Sequence, residues 1–327
     1  MQFAFTIRLF IFMIAAPVLV CAQQIELLNA GIDVDSSYYD IYNVADNDIW
    51  IGGEYGVLKR LRADGSIENI EIPNNGANIL KFLQLGNYMY ISADRGTIYK
   101  YNLSNKTCTK TEFKGYDHRC FYDLAYDNNG NLIVCGGSSG IGRGKKRVPN
   151  GFIATIDTSL TEAPVVVWKN ALKFVWSLAA HPDGGMSAAV FNGFRSQIYH
   201  ADLAQLEWNA RAKVKGLIHA LQVIDGRMAY SGCRSIQYHK TGIWGFENDQ
   251  ASYRQIKGAG IICNLLELNN SIYGFSSQGL VYQLNTNEFC PVYQTNDGFA
   301  LYEALPQGDD KILLVGHGKS AIKLQIR

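Results

Sequence analysis

The sequence predicts an all-β fold, a seven-bladed β-propeller with four antiparallel strands in each blade. Three observations predict it. Apolar strands of period two, each followed by a small-residue turn and a second strand, recur along the chain. One anchor in the first strand of each unit, Tyr39, Leu80, Tyr122, Trp176, His219, Cys263 and Tyr302, recurs at intervals of 41, 42, 54, 43, 44 and 39 residues. The pieces left at the two ends, residues 23–38 and 302–327, together match one more such interval. Four strands in roughly 40–45 residues is the length of one propeller blade.

The units read strand, turn, strand in DIWIGGEYGVLKRL (48–61), YMYISADRGTIYKYNL (88–103), NLIVCGG (131–137) and MSAAVFNGFRSQIYHADL (186–203). RMAYSGCRSIQYHKTG (227–242), SIYGFSSQGLVYQLNT (271–286) and KILLVGHGKSAIKLQI (311–326) complete the series. The long interval holds an extra loop, SSGIGRGKKRVPN (138–150). The last unit lacks an outer strand, and QIELLNAG (24–31) is expected to supply it beside residues 320–327. Such a clasp pairs edges that would otherwise stay open.

The first 22 residues read as a secretory signal peptide. Arg8 is followed by twelve apolar residues, and Val20-Cys21-Ala22 offers a small-residue cleavage site before Gln23. A run of twelve is short of the roughly 20 residues that span a bilayer. The mature chain, residues 23–327, is then expected to be one propeller domain, secreted or periplasmic, with no membrane insertion after cleavage. A monomer is expected.

Composition narrows the function. The chain is 47% apolar, which excludes disorder as its main state. A net charge of +1 argues against a nucleic-acid binder. Six cysteines remain after cleavage, with no CxxC or Cys/His spacing of a zinc site. At most one disulfide is expected, with Cys233–Cys263 and Cys120–Cys135 the local candidates, and Cys135 is expected opposite Tyr122. The glycines of GGSSGIGRG (136–144) lack the Lys-Ser/Thr ending of a phosphate loop. No cofactor and no metal are expected.

The chain resembles the broad superfamily of WD-repeat and YVTN-type β-propellers. WSLAAHPDG (176–184) is similar to the first-strand turn of a WD-repeat blade, and DIWIGGEYGVLKRL resembles the blades of sensor propellers attached to two-component regulators. Closing Trp-Asp dipeptides and the Asp-boxes of sialidase-type propellers are absent. The resemblance implies the fold and leaves function to the site.

Strand parity sorts the inner residues. The large anchors are expected to wedge between neighbouring blades. The next residues, Asp40, Lys81, Asp123, Ser177, Ala220, Asn264 and Glu303, are expected near the axial channel. They either solvate it or, through Asp40, Asp123 and Glu303, bind a cation or another ligand. Turns between second and third strands share a face with the starts of first strands, and this loop-rich face is the expected ligand surface. Its candidate binding residues are Tyr38, Tyr55, Arg95, His118, Arg119, Lys145, Arg147, Phe194, Arg195, Arg234 and His317. Cations outnumber anions there, which suits an anionic glycan or an acidic protein patch. No catalytic motif is present. The expected function is therefore a non-catalytic exported module that binds a protein or glycan. The alternatives are a scaffold subunit of an envelope assembly and a polysaccharide lyase or hydrolase using His118, His219 or His317 with an Arg.

Overall fold

The computed structural model describes residues 25–28, 36–45, 48–73, 76–127, 129–138, 151–170, 174–193, 195–224, 226–233, 241–246, 249–257, 259–285, 288–295, 298–317 and 321–326. They form seven four-stranded antiparallel sheets, the blades of a β-propeller. Six blades are built from consecutive strands. Blade 1, for example, comprises Tyr38–Ala45, Asp48–Gly53, Leu58–Leu61 and Ile67–Asn69. Blade 7 joins the two ends of the chain. Leu301–Pro306, Lys311–Gly316 and Ala321–Ile326 are completed by Ile25–Leu28, with Ile25 opposite Ile326 and Leu28 opposite Lys323. Residues 1–22, expected to be a signal peptide, lie outside the described residues.

Burial explains why these sequences form these strands. Second strands are packed on both faces and are buried nearly throughout, as in GMSAAVF of blade 4. They therefore read as unbroken runs of apolar and small residues rather than as alternation. Outer strands such as Asn209–Lys215 are mostly exposed and read as polar. Apolar clusters fill the gaps between blades. Trp50 and Leu58 of blade 1 pack with Ile79, Phe82 and Ile91 of blade 2, and Tyr38, Ile41 and Ile51 pack with Leu313 and Val315 across the closure.

The first strand of every blade is bulged at the anchor. Register slips between Tyr38 and Asp40, Ile79 and Lys81, and Phe121 and Asp123. It slips again between Val175 and Ser177, Ile218 and Ala220, Ile262 and Asn264, and Leu301 and Glu303. The skipped residue is the anchor each time. A bulge sets two residues against one on the partner strand and re-aims their side chains. The wedges between blades are therefore the residues before the anchors, Tyr38, Ile79, Phe121, Val175, Ile218, Ile262 and Leu301, all fully buried. The expectation that the anchors themselves fill that role fails for this reason. The same bulge places Cys135 opposite Asp123 rather than Tyr122.

Glycine makes room beside the bulge. A Cβ on Gly53, Gly136, Gly232 or Gly316 would lie 1.8–2.2 Å from the carbonyl oxygen of Ser37, Cys120, Leu217 or Ala300, respectively. The six cysteines from Cys108 to Cys290 are free thiols, so neither candidate pair is bonded.

Candidate functional site

The bulges converge on one cavity. It measures about 320 Å³ and is lined by all seven anchors together with Lys81, Asp123, Ser177, Ala220 and Glu303. Because anchors sit near the starts of first strands, the cavity lies at the loop-rich end of the axis. Five of the seven anchors carry rings. Tyr39 stacks on Tyr302, with centroids 5.7 Å apart and planes 29° apart. Tyr122 lies 4.5 Å from Trp176, which stacks on His219 at 6.1 Å and 20°. Phe174 backs Trp176 at 5.6 Å.

A polar network forms the floor. Lys81 Nζ donates to Asp40 Oδ1 at 2.7 Å and to Glu303 Oε2 at 3.1 Å. Asp40 Oδ2 also accepts the Phe82 backbone N–H at 2.6 Å. Asp123 accepts the N–H groups of Leu178 and Leu124 at 2.7 and 2.8 Å and the Ser177 hydroxyl at 3.3 Å. Ser177 Oγ in turn accepts from Leu221 N–H at 3.3 Å. Asn264 donates to Glu303 and accepts from Gln222 and from Leu265 N–H. Carboxylates, hydroxyl and amide thus link first strands of neighbouring blades around the axis.

Burial sets the protonation of these groups. It drives the Asp40 carboxyl upward, Lys81 pulls it back, and Glu303 adds to the rise, leaving it at about 7. Burial likewise raises Asp123, against the pull of Lys81 and its backbone donors. Burial works against the Lys81 charge, but Asp40, Glu303 and Asp123 outweigh it and hold the ammonium well above its ordinary range. The walls are neutral. Burial raises the Tyr39 and Tyr122 phenols and pushes Tyr302 up to about 12. Burial lowers His219, whose Nδ1 lies 3.1 Å from the Cys263 carbonyl. A carbonyl only accepts, so Nδ1 carries the proton and Nε2 the lone pair.

Of the expected channel residues, Lys81, Asp123, Ser177 and Glu303 reach the cavity, while Asp40 and Asn264 lie buried against them. Among the described residues, no group of three or more His, Cys, Asp or Glu side chains is arranged to hold a metal ion.

The expected ligand surface is more dispersed. Tyr38 is not on it, because the bulge at Tyr39 turns Tyr38 into the core between blades 7 and 1. Tyr55 is 70% exposed, in a left-handed turn whose N–H is held by Asn78. Arg95 lies exposed in the turn of blade 2, Arg195 is exposed at the start of the third strand of blade 4, and Arg119 opens the first strand of blade 3. These three cations therefore occupy one sector. His118 is exposed beside Asp117, and His317 Nδ1 lies 2.8 Å from Ser37 Oγ in blade 1. Lys145, Arg147, Phe194 and Arg234 lie outside the described residues.

Sequence reasoning missed the aromatic collar. Its signal is a broken alternation, Phe121-Tyr122-Asp123-Leu124 or Val175-Trp176-Ser177-Leu178, in which the two apolar core residues stand three apart rather than two.

No protein-family model matches the chain, and no curated protein sequence matches it. Among solved structures, YCF48 bound to D1 peptide is 12% identical, with a TM-score of 0.66 over 93% of this chain and 94% of that one. A catalytically inactive virginiamycin B lyase from Staphylococcus aureus with quinupristin is 11% identical, with a TM-score of 0.66 over 93% and 99%. The Dos1 propeller is 15% identical, with a TM-score of 0.62 over 89% and 78%. These likenesses establish the β-propeller fold.

Proposed function

We propose that the chain is an exported, non-catalytic β-propeller of the WD-repeat or YVTN kind that binds a protein or glycan over its loop-rich face, centred on the axial cavity. The observation that carries this reading is the convergence of five ringed anchors on one cavity at that face. Aromatic rings in a concave site with a few polar groups are the common makings of a ligand pocket. Around the cavity, Arg95, Arg119 and Arg195 supply donor forks suited to carboxylate or sulfate groups at the ligand's periphery. Peptide binding has a precedent in the fold, since the YCF48 structure holds a peptide. Export rests on the signal-peptide character of residues 1–22.

A second reading, an enzyme that eliminates or hydrolyses a polysaccharide, has one specific observation in its favour. His219 lines the cavity with a free Nε2 lone pair fixed by its Nδ1 contact. Such chemistry also needs an Arg or a metal to neutralise a carboxylate, and no arginine is among the described residues that line the cavity.

The test is a screen of the mature protein against immobilised glycans and envelope proteins, with a parallel assay for product. Retained binding without product supports the module. Binding weakened by rising salt and by the combined Arg95→Ala, Arg119→Ala and Arg195→Ala substitutions supports the face. Turnover that disappears in His219→Ala would replace this reading with the enzyme.

A further inference from the structure

We propose that the axial cavity binds an organic cation, the guanidinium or ammonium group of an arginine or lysine side chain presented by a protein partner. This deepens the reading above and depends on it only for the face that the partner covers.

Charge is the first argument. The ring gathers three carboxyl groups, Asp40, Asp123 and Glu303, around one ammonium, Lys81. Lys81 is already shared between Asp40 and Glu303. Asp123 is held by two backbone N–H groups and the Ser177 hydroxyl. Asp40 lies buried beneath the cavity, so the charged groups that line it are Lys81, Asp123 and Glu303. An anion entering would meet one ammonium already shared between Asp40 and Glu303, whereas a cation would meet Glu303 and Asp123 as acceptors. Low-dielectric walls concentrate this field.

The walls are the second argument. Their phenols, indole and imidazole add no positive charge at neutral pH. Aromatic rings accept cations, Trp best of all, and a planar guanidinium also stacks on them. Trp176 stands at the centre of this wall, between Tyr122 and His219.

Size is the third. A cavity of about 320 Å³ lies at the small end of ligand sites, which run from about 300 to 1,000 Å³. It admits one side chain and no folded element, since even a single helix is about 10 Å across. The three arginines of blades 2 to 4 stand outside it. The matching partner therefore presents a basic side chain on the axis and acidic groups to one side.

The experiment titrates the mature protein with Nα-acetyl-arginine amide, its neutral isostere Nα-acetyl-citrulline amide, and Nα-acetyl-glutamate amide, by calorimetry and tryptophan fluorescence. The arginine probe is expected to bind at least about tenfold more tightly than the other two, and Trp176→Leu to weaken it about tenfold. Asp123→Asn should weaken it as well, and Lys213→Ala, on the exposed outer strand of blade 4, should leave it unchanged. Thermal melting of each variant checks folding. Should Asp123→Asn fail to fold, the comparison of probes on the unsubstituted protein and the Trp176→Leu result decide. Equal binding of citrulline, preference for glutamate, absence of arginine binding, or full binding in Trp176→Leu overturns the inference. None of these touches the reading of the face, which falls only if a captured ligand ignores the arginine substitutions.

Discussion

Lys81 Nζ lies 2.7 Å from Asp40 Oδ1 and so pins the first strand of blade 2 to that of blade 1 at the axis. Asp40 is buried, while about a third of the Lys81 side chain (32%) faces the cavity. Removing the ammonium leaves Asp40 and Glu303 uncompensated. Breaking a fully buried pair costs about 3–5 kcal/mol, and the partial exposure of Lys81 scales that to about 2 kcal/mol. Lys81→Met should lower stability by this amount in urea unfolding, and adding Asp40→Asn should recover part of it.

The raised Asp40 carboxyl makes stability depend on pH. Its folded value of about 7 lies above the ordinary aspartate value of about 4. Between those values the folded state holds a proton that the unfolded state has lost. Stability therefore falls as pH rises through this window, and the raised Asp123 acts in the same direction. Asp40→Asn should flatten the decline between pH 4 and 7, measured as unfolding midpoint against pH. An unchanged slope would show that Asp40 titrates normally.

At four of the seven bulges the facing residue is a glycine, Gly53, Gly136, Gly232 or Gly316, that should tolerate no side chain; the other three carry Ala93, Val190 and Ser276 there. A Cβ on Gly232 would stand 1.8 Å from the Leu217 carbonyl oxygen, and a backbone atom cannot swing aside as a side chain does. Gly232→Ala should cost about 3 kcal/mol, at the upper end of overpacking. A near-normal melting temperature would show that the bulge can relax.

The fold was legible because blade periodicity is global. Seven anchors, seven second strands of small and apolar residues, and complementary ends all record the same ring. The site was half legible. The polar residues after the anchors lie at the cavity floor, as Lys81, Asp123, Ser177 and Glu303 do, or buried beneath it, as Asp40 and Asn264 do, because the core residues that follow, such as Phe82 and Leu178, fix that side of each strand. The anchors themselves misled, because a strict period of two assigns Tyr122 and Trp176 to the core. Register is a property of paired strands, and no single strand's alternation reveals the residue that its partner skips. Tyr38 was misassigned for the same reason, being displaced inward by the bulge at its neighbour.

Closure of the ring gives the last prediction. Ile25–Leu28 covers the outer edge of Ala321–Ile326, in register from Ile25 opposite Ile326 to Leu28 opposite Lys323. That strand also contributes Leu324 and Ile326 to the core between blades 6 and 7. Deleting residues 23–31 strips the edge of its partner and leaves a row of open backbone donors and acceptors, a template for pairing between molecules. The truncated protein should melt at lower temperature and form oligomers that grow with concentration in light scattering. A synthetic peptide of residues 23–31 should bind the open edge by strand addition and reverse both effects, whereas the same residues in scrambled order should not. A truncated chain that stays monomeric with an unshifted melting point would mean that three strands suffice to hold blade 7 in the ring.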